Sequence, residues 1–280
     1  MIKLKHNPLL AWLNWRIKRN KNAIILIVGP TGSAKTYSGI MLAIQCAKMF
    51  GTNFTIQDNL DFKFGGLLKK TKLPHNKKPG TPFLFDEVGS TGGGASSRDW
   101  QQKGNKFFFS FVQTSRHKQQ ILIMTCPVFG FLEKGVRSMA HMIMETKNID
   151  FNKNLAYIKP YQIQVNSRTG KMYFKYLRFR HKGIKSKLKL LAIPLPPQDY
   201  IDEYEKVKTK FTSQLDQDIL DADAAEKPPT PKITTEIVEY HKQKGLMVKE
   251  IAKLLGVSRQ TVSRHSASKS QVPNNTLEEP

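Results

Sequence analysis

The 280-residue sequence carries 45 Lys and Arg against 22 Asp and Glu, a formal net charge of +23 at pH 7. An excess of that size points to a polyanionic partner, of which nucleic acid is the simplest. Two cysteines, Cys46 and Cys126, argue against a disulfide framework or a zinc site and for a reducing compartment. The length suits one large α/β domain with a small appendage. No apolar run approaches the roughly 20 residues of a membrane span, and the N-terminus lacks the apolar stretch of a signal peptide. A cytoplasmic protein without stable membrane insertion is expected.

Residues 1–22 form a basic amphipathic segment with six Lys or Arg and no acidic residue. Leu9, Leu10, Trp12, Leu13, Trp15 and Ile17 are spaced roughly as on one helix face. Such a face can lie on a membrane surface or pack on its own domain, and the second is favoured. Residues 23–28 are wholly apolar and read as a buried strand. The chain then breaks into Gly29-Pro30-Thr31-Gly32-Ser33-Ala34-Lys35-Thr36, followed by a helical pattern over 36–49 that ends at Gly51. Strand, glycine loop, Lys-Thr and helix make a phosphate-binding loop. Backbone N–H groups and the helix dipole attract the anion. Lys35 reaches the β- and γ-phosphates, and the Thr36 hydroxyl ligates Mg²⁺. Ala34 stands where such loops usually have Gly, and its methyl is expected to crowd the phosphates.

A short strand is expected at 53–56, then a Gly65-Gly66 break and a surface loop over 69–80. Phe83-Leu84-Phe85-Asp86-Glu87 reads as a buried strand delivering two carboxylates at its C-terminal end. In an open parallel sheet that end faces the phosphate loop. Asp86 is placed to hold Mg²⁺, as a Walker-B Asp does, and Glu87 to act as general base on the attacking water. A glycine-rich loop over 89–95 and a helix over 100–114 follow. A third buried strand is expected at 121–125. Arg116 lies between that helix and that strand, a position that suits an arginine finger given to a neighbouring subunit, with Arg98 and Arg137 as rivals.

Residues 155–180 alternate in the strand manner around a turn at 166–170. From Lys159 to Lys189 there are ten Lys or Arg and no acidic residue, interleaved with aromatic ones. That mixture suits nucleic-acid backbone contact and stacking, with Arg168, Lys171, Arg178 and Arg180 as the phosphate contacts. A mixed-charge helix over 199–220 precedes a Pro- and Ala-rich linker at 221–231. Residues 232–268 read as a helix-turn-helix unit. Ala252, Gly256, Val257 and Val262 fall where two crossing helices need small, positive-φ and apolar residues. Ser258, Arg259, Gln260, Thr261 and Arg264 then face a DNA groove. Residues 269–280 look disordered.

The motif series Gly29–Thr36, Phe85-Asp86-Glu87, Ser97-Arg98-Asp99-Trp100, Gln113-Thr114-Ser115-Arg116-His117 and Ile121-Leu122-Ile123-Met124-Thr125 resembles P-loop ATPases of mobile elements and viruses related to the zonular occludens toxin (Zot) domain, and the wider FtsK–HerA group of DNA pumps. The likeness covers about residues 20–150, with a weaker echo around Tyr200 and Tyr204. It implies a RecA-like αβα core over 23–220, a ring, hexameric as in the family, and ATP at subunit interfaces. The sensor role of the third strand falls to Thr125 or is absent, since the family's Thr-Gln is here Thr125-Cys126. The resulting expectation is a Mg-dependent ATPase that moves or packages DNA for a virus or plasmid, with viral or plasmid proteins as further partners. Two alternatives stay open: an ATP-switched DNA-binding regulator or replication initiator, and a Zot-type virion-assembly ATPase.

Overall fold

The computed structural model describes residues 7–88, 116–132, 134–181, 183–225 and 234–267. Expectations for the 89–95 loop, Arg98, the 100–114 helix and the 269–280 tail lie outside these residues. Contacts divide the chain into two units, 1–220 and 221–280.

The first unit is built on a nine-stranded sheet among the described residues. Its parallel half contains β1 (Ala23–Val28), β2 (Leu60–Asp61), β3 (Pro82–Phe85) and β4 (Ile121–Cys126). β5 (Met142–Asp150) runs parallel to β1 and then turns the sheet antiparallel through β6 (Leu155–Val165), β7 (Met172–His181), β8 (Ile184–Leu188) and β9 (Leu191–Pro194). The spatial order is β2-β3-β4-β1-β5-β6-β7-β8, with β9 pairing β6. β4 thus separates the strand that feeds the glycine loop from β3, which ends at Phe85 and leads directly into Asp86-Glu87. This strand order and layering make the fold a RecA-like αβα arrangement.

Alternation along β1 shows the layers. Ala23, Ile25 and Ile27 enter one apolar cluster, and Ile24, Leu26 and Val28 enter the other. The first cluster is covered by α1 (Pro8–Ile17), α2 (Lys35–Phe50) and a long helix further on. The second is covered by α4 (Phe64–Lys70) and α5 (Lys134–Met139), which follow a single helical turn, α3 (Ile56–Asn59). Both faces of the parallel strands are buried, which is why their sequences are continuous apolar runs.

α1 starts on Pro8, with the Asn7 side chain accepting from the Leu9 N–H at 3.0 Å. Leu9, Leu10, Leu13 and Ile17 are buried in the first cluster. These four side chains of the expected face therefore pack on their own domain, as favoured, with Trp12 half-buried against them, while Trp15 is exposed. No helix among the described residues is long and apolar enough to cross a membrane.

The strand expected at 53–56 is not formed. Thr55 instead caps α3, its side chain accepting from the Asp58 N–H at 3.1 Å, and the strand is displaced to Leu60–Asp61. An N-cap Thr55 with Asp58 in the first turn is a helix-start signal that outweighs the β-preference of Phe54 and Ile56. The long helix α6 runs over Gln198–Ala225, so 221–225 of the expected linker is helical and 226–231 lies outside the described residues.

In the second unit, α7 (Thr235–Gln243), α8 (Val248–Leu254) and α9 (Arg259–Ala267) close on Val238, Ile251, Ala252 and Val262. Gly256 turns α8 into α9 at φ 64°, a conformation open to Gly at little cost.

Candidate nucleotide site

The glycine loop lies between the end of β1 and the start of α2. Its first glycine is fixed by a close approach: a Cβ on Gly29 would fall 1.8 Å from Thr146 Oγ1 on β5. The Thr146 hydroxyl shares its proton between Ser33 Oγ at 2.8 Å and the Val28 carbonyl at 3.2 Å, fastening the loop to the neighbouring strand. Ala34 is the N-cap of α2, in the left-handed region at φ 60°, and no side chain caps this helix start. The first N–H groups of α2 have no carbonyl partner within the helix, so they face outward as anion donors.

Lys35 donates to the Pro30 carbonyl at 2.7 Å. Partial burial lowers its pKa, against the pull of Asp86, Cys126 and Glu87. The ammonium is thus folded along the loop within the field of the two carboxylates.

Asp86 is fully buried. Its Oδ1 accepts from Thr36 at 2.9 Å and from Thr125 at 2.6 Å, while Oδ2 accepts from Tyr204 at 2.8 Å. The Thr125 hydroxyl in turn accepts from the Glu87 N–H at 2.9 Å, and the Thr125 carbonyl from the Val88 N–H, also at 2.9 Å. Thr125 therefore joins the two carboxylate residues from the intervening strand. Burial, then Asp86, pushes the Tyr204 phenol far up, so it is a permanent donor. The Thr36 hydroxyl and the Asp86 carboxylate form an all-oxygen pair beside the loop, the donor chemistry that suits Mg²⁺ shared with phosphate oxygens. No cluster of three or more His, Cys, Asp or Glu that could hold a metal occurs among the described residues, so a bound ion would need phosphate and water to complete its shell.

A cavity of about 560 Å³ opens over the loop, within the range of small-molecule sites. Its lining includes residues 31–36, Glu87 and Thr125, together with the apolar side chains Ile149, Phe151, Leu155, Ile193 and Leu195. A cavity lined by a glycine loop and by apolar side chains can hold phosphates and a flat aromatic group. Cys126 also borders it, its thiol pushed up to about 11 by burial.

Lys35, Thr36, Asp86, Glu87 and Thr125 are thus brought together. Arg116 is not among them. It is exposed, in a helical turn before the N-terminal end of β4, whereas the loop lies at the C-terminal end of β1. A six-residue strand, about 20 Å, separates the two ends. Arg116 cannot reach the phosphates of its own chain. Arg137 stacks on Phe129, its guanidinium 5.3 Å from the ring centre.

Arg168, Lys171, Arg178 and Arg180 are all exposed on the β6–β7 turn and on β7. Arg178 lies opposite Lys187, and Arg180 opposite Lys185. In the second unit Arg259, Gln260 and Arg264 are exposed. Ser258 accepts from the Thr261 N–H at 3.2 Å and pairs with its hydroxyl at 2.9 Å, so these two side chains start α9.

Sequence reasoning missed Thr146, the contact of Tyr204 with Asp86, and Lys208, whose ammonium lies 2.5 Å from Glu87 Oε2. Tyr204 recurs four residues after Tyr200, with Val207 and Phe211 on the same helix face, and that periodicity marks a packed face without revealing that it meets Asp86. Thr146 carries no signal in its neighbourhood.

No family model matches the chain, and no curated protein matches it. Among solved structures, the N-terminal domain of zonular occludens toxin from Neisseria meningitidis aligns at 13% identity and TM-score 0.32, over 56% of this chain and 95% of that one. The genome packaging NTPase B204 of Sulfolobus turreted icosahedral virus 2, in complex with AMP, aligns at 13% identity and TM-score 0.35, over 55% of this chain and 96% of that one. A KaiC-like protein from Pyrococcus horikoshii aligns at 12% identity and TM-score 0.35, over 62% and 90%. What defines the layering here is the strand order itself, with β4 between the loop strand and the carboxylate strand.

Proposed function

We propose that this chain is a Mg-dependent ATP hydrolase that moves or packages DNA, working as a ring of six in the manner of the family it resembles, in the cytoplasm of the host of a virus or plasmid. The observation that carries the reading is the convergence of Lys35 and Thr36 with Asp86 and Glu87 across two strands that flank β4. When bound, Mg²⁺ would neutralise charge developing on the phosphates. Asp86 and Thr36 offer it oxygen ligands, Lys35 and the α2 N–H groups hold the phosphates, and Glu87 accepts the proton of the attacking water. The packaging branch is supported by the motif series and by the basic, aromatic face of β6–β8. Arg116, exposed before β4, is the residue we assign as the arginine finger given to a neighbouring subunit.

Replacement of Lys35 by Ala should abolish retention of labelled ATP; unchanged retention would remove the phosphate-loop reading. A second reading, an ATP-switched regulator, is favoured by the C-terminal unit, whose α9 exposes Arg259, Gln260 and Arg264 as a helix-turn-helix would. A pump hydrolyses ATP faster with DNA of any sequence, whereas a regulator protects one operator.

A further inference from the structure

α6 reaches the catalytic carboxylates twice within about one turn. Tyr204 donates to Asp86 Oδ2 at 2.8 Å, and Lys208 sets its ammonium 2.5 Å from Glu87 Oε2. A spacing of four residues puts both side chains on one helix face. The ammonium also lies 4.8 Å from the centre of the Phe62 ring and 5.9 Å from that of Phe211, and these rings stack at 4.5 Å. The cation therefore has an aromatic seat of its own as well as its carboxylate partner. Glu87 borders the cavity over the phosphate loop, and Lys208 is not among its lining residues.

A carboxylate oxygen engaged by an ammonium has that lone pair occupied and cannot take a water's proton through it. The pair is also held by the backbone: Glu87 sits at φ 54° with its N–H bonded to Thr125, so its side chain starts from a fixed point. Tyr204 makes the complementary contact, which steadies Asp86 without adding charge.

We propose that Lys208 is a brake on Glu87, and that α6 is the element that applies and releases it while Tyr204 keeps Asp86 in place. The inference rests on the reading of Glu87 as general base. α6 runs 28 residues, about 42 Å at 1.5 Å per residue, and its last residues, 221–225, already belong to the C-terminal unit. The brake thus lies on the segment through which that unit is attached to the ATPase.

The test is steady-state ATP hydrolysis, with ATP retention measured in parallel, on the full chain. Lys208→Met keeps an unbranched stem on Phe62 and Phe211 and removes the charge, and Lys208→Gln is a second variant with the same expectation. Both should raise kcat about two- to fivefold, the span a partly exposed ion pair can hold back, with KM unchanged. Lys208→Arg should return kcat to the wild-type range. A merely structural lysine would lower kcat when removed. An unchanged or lower kcat in both neutral variants with ATP still retained, or an equal rise in the Arg variant, would overturn the brake and leave the phosphate-loop reading standing. Failure of the wild-type chain to retain ATP would overturn both.

Discussion

Ala34 illustrates how a single side chain is read differently once its backbone is known. From the sequence, the missing glycine raises a question of crowding near the phosphates. In the structure the residue occupies the left-handed region, where an L-residue costs roughly 1–2 kcal/mol over the right-handed one. Ala34→Gly should relieve that strain, less the roughly 0.5–1 kcal/mol that glycine's extra chain freedom returns to the unfolded state. Equal or tighter ATP binding with equal or higher stability in urea is expected. A loss of both would mean that the Ala34 methyl packs in the loop. His141 makes a second residue-scale statement. Its Nδ1 accepts from the Ile24 N–H at 3.0 Å, and burial, aided by Arg16 and Lys21, lowers its pKa from 6.5 to about 3. The folded chain therefore keeps it neutral where the unfolded chain would protonate it. Its contribution is complete above pH 6.5 and is lost as pH falls toward 3, at up to about 1.4 kcal/mol per pH unit. His141→Gln, which keeps an acceptor, should flatten the acid side of the urea-unfolding profile.

Elements differ in how much of them the sequence exposes. β1, β3 and β4 are buried on both sides, and their apolar runs can be read within a residue at each end. The carboxylates at the end of β3 are legible for the same reason, since little else places Asp-Glu after a buried run. β2 is not legible, because two residues paired to β3 carry no period of their own and the Thr55 cap dominates the local signal. The contact of α6 with Asp86 is illegible too: Tyr204 and Asp86 are 118 residues apart, and only the closed sheet brings them together. The β7–β8 ladder carries its own prediction. Arg178–Lys187 and Arg180–Lys185 are like charges set directly opposite, an arrangement that is unfavourable without a counter-charge. If each of these cations meets a phosphate of duplex DNA, changing Lys185 and Lys187 to Gln should weaken binding and flatten the plot of log K against log salt by about 0.9 for each phosphate no longer neutralised. An unchanged slope would move the DNA interface off this face.

For the whole molecule, the separation of the chain into two units predicts separable roles. Removing residues 226–280 should leave salt-sensitive, sequence-indifferent DNA binding and DNA-stimulated ATP hydrolysis with the core, and should abolish any preferred site. If the core alone neither binds DNA nor responds to it, DNA engagement belongs to the C-terminal unit and the regulator reading replaces the pump. Arg116 is tested by mixing. Arg116→Ala chains combined with Lys35→Ala chains should recover part of the activity where one subunit completes the other's site.

The central claim, that the phosphate loop and the Asp86-Glu87 strand form a hydrolytic centre, is tested most directly by comparing wild type and Glu87→Gln for ATP retention and for Mg-dependent turnover in the same preparation. The account predicts equal retention and turnover slower by about 10²–10⁴-fold, the contribution of a general base. Wild-type turnover in the variant, with ATP bound as before, would contradict it.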